Sequence, residues 1–396
     1  MASLLTEEDR RSVVDLLAEL IAIPSANRGL AQAQADQPER QIADFVAGYL
    51  REMGMAVEMP EVYPGRPNVI GHWRDQGGRR RLVLEAHLDT VGTDAMIVDP
   101  FKPVQRDGRM YGRGACDTKG SMAAFLTALR VARRRGIKPA DEIYFLGCMG
   151  EETGCHGARA LVEAGFKCDG AIVGEPTGCH VATAHRGSLW LRVTTHGRAC
   201  HASTPELGRN AIVAAAGVVD VLESRFKPTL QADRHELLGR ATMSVGVING
   251  GTKVNVVPDT CQMEIDMRLL PEHQPDKIVE QIRHLLSQDM PDWAENIDVA
   301  QVWSLPCMMT EADRPLVKNV LAVASARTNQ DKLLAMSGFA DSGPLHQAGA
   351  DAIIFGPGSA DQAHTADEFV ELDQLFMATE IILELLARHQ DRSALG

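Results

Sequence analysis

The sequence lacks any apolar run long enough to cross a membrane. Its longest, Ala211–Val219, falls far short of the roughly 20 residues a spanning helix needs. It also lacks an excess of positive charge. Its 40 basic side chains stand against 53 acidic ones, a formal net charge of −13. That argues against a general nucleic-acid or anionic-membrane binder, since both depend on clustered positive charge. The one basic run, Arg133-Arg134-Arg135, closes a helical pattern, where it is expected to complement the helix dipole. Eight cysteines are scattered without a CxxC pair. Neither a zinc-finger module nor a disulfide framework is indicated, and a reducing cytoplasm is the expected compartment. The acidic start, Met1 to Arg11, has none of the basic-then-apolar build of a secretion signal.

Several common catalytic signatures are missing too. There is no GxxxxGK[ST] phosphate loop and no GxSxG nucleophile elbow. Gly112-Arg113-Gly114 lacks the third glycine of a dinucleotide fingerprint and runs into the acidic Asp117, which would repel a pyrophosphate. Cys155-His156 and Cys200-His201 are neighbours in sequence only, which is no evidence of a catalytic dyad.

What is present is a chain of 396 residues, 45% hydrophobic, too long for one core of about 250–300 residues. Thr6 and the acidic Glu7, Glu8 and Asp9 open a helix with an apolar stripe at Val13, Leu16, Leu17, Leu20 and Ile21. A second helix is expected over Gln41–Met53, with a loop around residues 24–38 between the two. Buried strands Leu82–Ala86, Ile143–Met149 and Gly170–Val173 then alternate with helices Gly120–Arg135 and Ala158–Ala164. Such alternation predicts a three-layer α/β domain with a mostly parallel sheet. From Gly187 the texture changes to strand, helix (Asn210–Glu223), two strands (Ala241–Ile248, Cys261–Arg268), helix (Pro275–Ser287) and strand (Ile297–Val302). That β-α-β-β-α-β order is a ferredoxin-like α+β unit. Past Pro306 the α/β texture resumes, with strand Ala352–Phe355 and a closing helix Leu372–Arg388. The small module is therefore inserted: residues 1–186 and 304–396 form one discontinuous domain, and 187–303 the second.

Five short strings fall at strand ends of the larger domain, where open sheets place their ligands. They hold His87 and Asp89, Asp117, Glu151 and Glu152, Glu175, and His364. Alone, each has an ordinary explanation: a solvated turn, a helix cap, a loop histidine. Together they supply two imidazoles and three ligand carboxylates, with one glutamate to spare. That donor set suits divalent ions of the zinc class. Two such ions bring four positive charges against three ligand carboxylates, and a bridging hydroxide completes the balance. Two metals with a spare carboxylate make a hydrolytic centre in which the spare group serves as general base. His87 would bind through one ring nitrogen while the Asp89 carboxylate accepts from the other.

The strings resemble, as a set, the motifs of the di-zinc aminoacylase and exopeptidase family. That family includes acetylornithine deacetylase, succinyl-diaminopimelate desuccinylase, aminoacylase-1 and the glutamate carboxypeptidases. The matching segments are Glu85–Thr90, Gly112–Gly120, Gly150–Gly154, Val173–Thr177 and Ala363–Glu368. The resemblance implies that Asp117 bridges two divalent metals, zinc foremost with cobalt or manganese as alternatives. His87 and Glu175 would complete one site, and Glu152 and His364 the other. Glu151 would be the general base, with Asp89 behind His87, and the Asp117–Thr118 peptide bond would be cis.

The inserted module would be the family's lid, or dimerisation domain, and the chain a homodimer through it. There, His201 would reach a partner subunit's site to stabilise the oxyanion, Asn255 would lie near substrate, and Arg268 would grip the substrate carboxylate. Gly356 and Gly358 resemble the glycine loop approaching substrate in the deacetylase-like branch. Ser337–Gly343 departs from the desuccinylase pattern Gly-Gly-Thr-Ser-Asp-Ala. The implied function is hydrolysis of an N-acyl amino acid by a metal-bridging water, as in acetylornithine deacetylase. An exopeptidase, a dipeptidase or a desuccinylase on the same scaffold is the alternative. The partner is a small molecule, an N-acyl amino acid or dipeptide, with no nucleic acid and no membrane.

Overall fold

A computed structural model of the chain describes residues 3–27, 38–73 and 80–388. Most of the loop expected around residues 24–38 lies outside them. The chain divides into two compact units. The first is Met1–Ala184, Met308–Met336 and Ala340–Gly396, and the second is His185–Cys307 with Ser337–Phe339. The second unit reaches beyond 303 because its last strand, Ile297–Leu305, continues past Val302. The Ser337–Phe339 segment joins it from a later stretch of chain.

In the first unit the large sheet is mixed rather than mostly parallel. Its centre consists of Glu142–Gly147, Arg81–Glu85, Gly170–Val173 and Asp351–Ile354, side by side and parallel. Ala56–Glu58 and Val69–Trp73 flank it antiparallel on one side, and Ala182–His185 on the other. The flank was invisible to a search for continuous apolar runs: Val69–Trp73 carries Gly71 and His72 on its wetter positions and alternates in burial. The central helix Lys119–Arg134 is buried along most of its length. It packs against Glu7–Ala22 and Leu372–Arg388, so a layer of helices covers the sheet. The Thr6 hydroxyl accepts from the Asp9 amide while the Asp9 carboxylate accepts from Thr6, a reciprocal capping box.

The basic run does something other than complement a dipole. Arg134 and Arg135 both reach the buried Asp9 carboxylate, Arg135 at 3.1 Å. They tie the end of the central helix to the start of the first one.

The second unit is a four-stranded antiparallel sheet in the order Thr242–Gly250, Thr260–Leu269, Gly187–His196, Ile297–Leu305. Leu189, Leu191 and Val193 are buried on the face covered by helices Ala211–Val221 and Pro275–Asp289. Trp190 and Arg192 stand on the opposite, open face. Thus a mixed α/β unit accompanies a ferredoxin-like α+β unit. Among the described residues no helix is long and apolar enough to cross a membrane.

Candidate metal centre

Parallel strands end at one edge of their sheet, and side chains just beyond that edge converge. His87 follows Arg81–Glu85, Glu151 and Glu152 follow Glu142–Gly147, and Glu175 follows Gly170–Val173. Asp117 comes from the turn before the central helix, and its peptide bond to Thr118 is cis, the form the resemblance implied. His364 arrives from the loop before Phe369–Glu371 with φ at 64°.

Two donor sets result, His87 with Asp117 and Glu175, and Asp117 with Glu152 and His364. Asp117 Oδ1 lies 2.9 Å from His87 Nε2, and Oδ2 lies 3.1 Å from His364 Nε2. Each oxygen of one carboxylate thus faces a different set, which is the arrangement a bridging ligand requires. Glu175 Oε1 is 3.9 Å from His87 Nε2, and Glu152 Oε2 is 3.1 Å from His364 Nε2. The other Glu152 oxygen accepts from the Val91 amide at 3.0 Å, which fixes its rotation. Glu151 is buried and belongs to neither set.

The structure corrects the expectation for Asp89. His87 Nδ1 faces the Asp89 backbone carbonyl at 2.8 Å, while the nearest carboxylate oxygen is 3.7 Å away. The carboxylate accepts instead from the Glu151 amide at 3.0 Å and from Asn27 Nδ2 at 2.9 Å. The carbonyl sets the histidine tautomer, and the side chain holds the turn that carries Glu151.

A family model for peptidase family M20/M25/M40 matches residues 83–388. The chain belongs to this family. An acetylornithine deacetylase from Myxococcus xanthus is 30% identical over 362 residues, covering 89% of this chain and 92% of that one. A probable succinyl-diaminopimelate desuccinylase from Staphylococcus epidermidis is 25% identical over 429 residues, covering 98% and 100%. Among solved structures, a family M20 metallo-carboxypeptidase from Sulfolobus solfataricus superposes with a TM-score of 0.79 at 18% identity, covering 97% and 99%. A Bacillus subtilis protein described as a dinuclear metal-binding peptidase of family M20 gives 0.71 at 16%, also covering 97% and 99%. The protein is a metallohydrolase of family M20.

The electrostatics of the family's site fit two cations. Burial pushes Glu175 and Glu151 well above the usual carboxylate range, helped by neighbouring carboxylates, and pushes Glu152 up to about 7. Burial would also raise Asp117, but hydrogen bonds from His364 and His87 hold it below its ordinary value. So many acids in one dry place are stable as anions only beside compensating positive charge. Two imidazoles and three carboxylates are the N and O donors that zinc-class ions accept.

Three features escaped sequence reasoning. Glu368 lies in a quoted motif yet was assigned no role. Its buried carboxylate accepts from Arg113 Nη1 (2.6 Å) and the amides of Gly114 (3.1 Å), Cys116 (2.9 Å) and Asp117 (3.0 Å). It therefore shapes the loop that presents the bridging aspartate. Glu85 and Asp341 are the second feature, two buried acids beside Cys148. Burial pushes Asp341 up to about 6 and Glu85 well beyond the usual range. A carboxylate inside the apolar strand Leu82–Ala86 was the available signal. The third is Asn27, which also reaches Thr153 Oγ1 at 3.1 Å.

The glycine loop lies behind the ligands. A Cβ on Gly356 would come within 2.6 Å of the Glu175 carbonyl oxygen, and one on Gly358 within 2.6 Å of Cys116 Sγ. Both glycines let the loop lie flat against ligand-bearing backbone. The remaining expected residues belong to the second unit. His201 is exposed with Nδ1 2.7 Å from Ser203 Oγ, Asn255 is exposed, and Arg268 Nε donates to Asp266 Oδ2 at 3.0 Å.

Proposed function

We propose that the protein hydrolyses the amide bond of an N-acyl amino acid, releasing a carboxylate and a free amino acid. The observation that carries this reading is Asp117, whose two oxygens face two separate donor sets beside a buried glutamate outside both. His87, Asp117 and Glu175 would hold one divalent ion, and Asp117, Glu152 and His364 the other, zinc being the first expectation. Bound there, the ions would supply Lewis acidity toward the amide carbonyl and lower the pKa of water.

The chain's own residues do the rest. Glu151 takes a proton from the attacking water and delivers it to the leaving amine nitrogen. Asp89 and Asn27 hold the Glu151 turn, and Glu368 holds the Asp117 turn. The Arg268 guanidinium takes the substrate carboxylate, while Asn255 lies near the substrate. His201, supplied by a second copy of the chain, stabilises the oxyanion. The second unit offers a surface for that copy: Ile212, Val213 and Ile248 are exposed there, on a helix start and an edge strand. Eight cysteines without a disulfide agree with a reducing cytoplasm.

The test is a panel of N-acetyl, N-succinyl and N-aminoacyl amino acids with metal-replete protein, compared by kcat/KM. The panel separates a deacylase from a dipeptidase or desuccinylase. Glu151→Gln is expected to keep two metals per chain and lose turnover. Wild-type rates from that variant would sink the mechanism.

A further inference from the structure

We infer that the open face of the second unit's sheet carries a subsite for an amino acid carboxylate joined to a large apolar, preferably aromatic, side chain. This rests on the proposed deacylase reading and names its substrate class. The inference starts from cross-strand register. Trp190 lies between Asp266 on one neighbouring strand and Trp303 on the other, and in the next row Ser188 lies opposite Arg268.

Around that corner the side chains form one connected group. The Trp190 and Trp303 rings lie 4.7 Å apart, and Phe339 meets Trp303 edge-on at 5.7 Å. Arg268 sits over the Phe339 ring at 5.7 Å. Asp266 organises the polar half, accepting from Trp190 Nε1 at 2.7 Å and from Arg268 Nε at 3.0 Å.

Two groups in this corner are unspent. Arg268 uses only Nε, and among the described residues its two terminal amino groups meet no acceptor. They remain available as a fork for a carboxylate. The Ser188 hydroxyl, directly across the register from Arg268, is fully buried and without a partner. A buried polar atom left unpaired asks for a ligand.

The apolar half is equally open. Trp190 is 41% exposed and Val302 43%, and a groove of about 140 Å³ runs between them with Val247 on its far side. An anion fork beside aromatic faces recognises a carboxylate and an adjoining ring together. Phe339 also occupies the stretch where the sequence departs from the desuccinylase pattern, so the departure acquires a chemical reason.

The experiment measures binding and turnover on the metal-loaded enzyme. N-acetyl-phenylalanine, N-acetyl-alanine and N-acetyl-ornithine are titrated into the Glu151→Gln variant, reading tryptophan fluorescence and calorimetry. The same three are then compared as substrates of the wild type. The expected result is a kcat/KM for the phenylalanine derivative about tenfold or more above the alanine one, with quenched fluorescence on binding. Phe339→Thr and Trp303→Leu should collapse that ratio toward one, and Phe339→Tyr should preserve it. The ratio is read within each variant, so partial unfolding does not mimic the effect. A ratio unchanged in Phe339→Thr, or a wild-type preference for alanine or ornithine, overturns the subsite while leaving the deacylase reading intact. No hydrolysis of any acyl amino acid overturns the deacylase reading itself.

Discussion

Glu368 and Arg113 make the firmest energetic prediction in the molecule. Both are almost fully buried, and they meet at 2.6 Å. Glu368→Gln keeps the size of the side chain and removes its charge. The native oxygens divide their work: Oε2 accepts from Arg113 and Gly114, and Oε1 from Cys116 and Asp117. A glutamine has one acceptor end, so it can serve only one of these pairs and turns an N–H donor toward the other. The choice that keeps the Asp117 turn leaves the Arg113 guanidinium buried without its anion. Breaking a buried ion pair from one side costs about 3–5 kcal/mol, a large share of a typical stability of about 5–15 kcal/mol.

The assay is urea unfolding of the metal-replete protein across a double-mutant cycle. Glu368→Gln alone should lose about 3–5 kcal/mol, as above. Arg113→Met removes the orphaned charge, so the double variant should be less destabilised than the sum of the two singles, by about 1–3 kcal/mol. Zinc affinity by chelator competition should weaken in Glu368→Gln, since the loop it loosens carries the bridging ligand. A strictly additive cycle would refute the claim that the pair acts as a unit. Loss of stability with unchanged metal affinity would refute the claim that it serves the centre.

Three further outcomes follow from the same geometry. Dialysis against a chelator should lower Tm by about 5–10 °C per site for metal present at a hundredfold excess over Kd, reversibly on readdition; an unchanged melt would mean that the acids need no cation. Asp89→Ala should reduce kcat by about 10–100-fold with two metals still bound by elemental analysis, because its carboxylate holds the Glu151 amide rather than a metal-binding ring; metal loss instead would contradict that assignment. For Asp9, burial works to raise the carboxyl, but hydrogen bonds from Thr6 and Arg134 outweigh it and hold it below its ordinary 3.8. A depressed folded pKa adds stability above the unfolded pKa and loses it as pH falls through the folded one. The stability gap between wild type and Asp9→Asn should therefore shrink as the pH falls below about 4, and a gap that widens there would show the sign to be wrong.

The elements legible in the sequence were those whose burial is continuous. Leu82, Val83 and Leu84 read as a strand because both faces of a central parallel strand are dry. The Leu189/Leu191/Val193 alternation read as a strand with one dry face. Val69–Trp73 and Ala182–His185 were illegible because flank strands tolerate glycine and polar residues, and their pairing partners lie far away in sequence. The candidate ligands were legible for a related reason. Charged side chains directly after buried strands have few innocent explanations, and several at one sheet edge have fewer.

The supporting residues were hidden because their reasons are tertiary. Nothing near Glu368 in sequence says that its acceptors will be filled by a turn more than two hundred residues earlier, and nothing near Asp89 says that its carboxylate will choose an amide over an imidazole. Both cases obey one constraint. The loops that carry Asp117 and Glu151 expose backbone N–H groups inside a dry site, and such groups must find acceptors. Glu368 and Asp89 are anions placed where those amides point, so they satisfy the backbone without competing for the metals. A site assembled from five loops needs its ligands matched by acids of this second kind. The chain's excess of 53 acidic over 40 basic residues is in part the composition of that requirement.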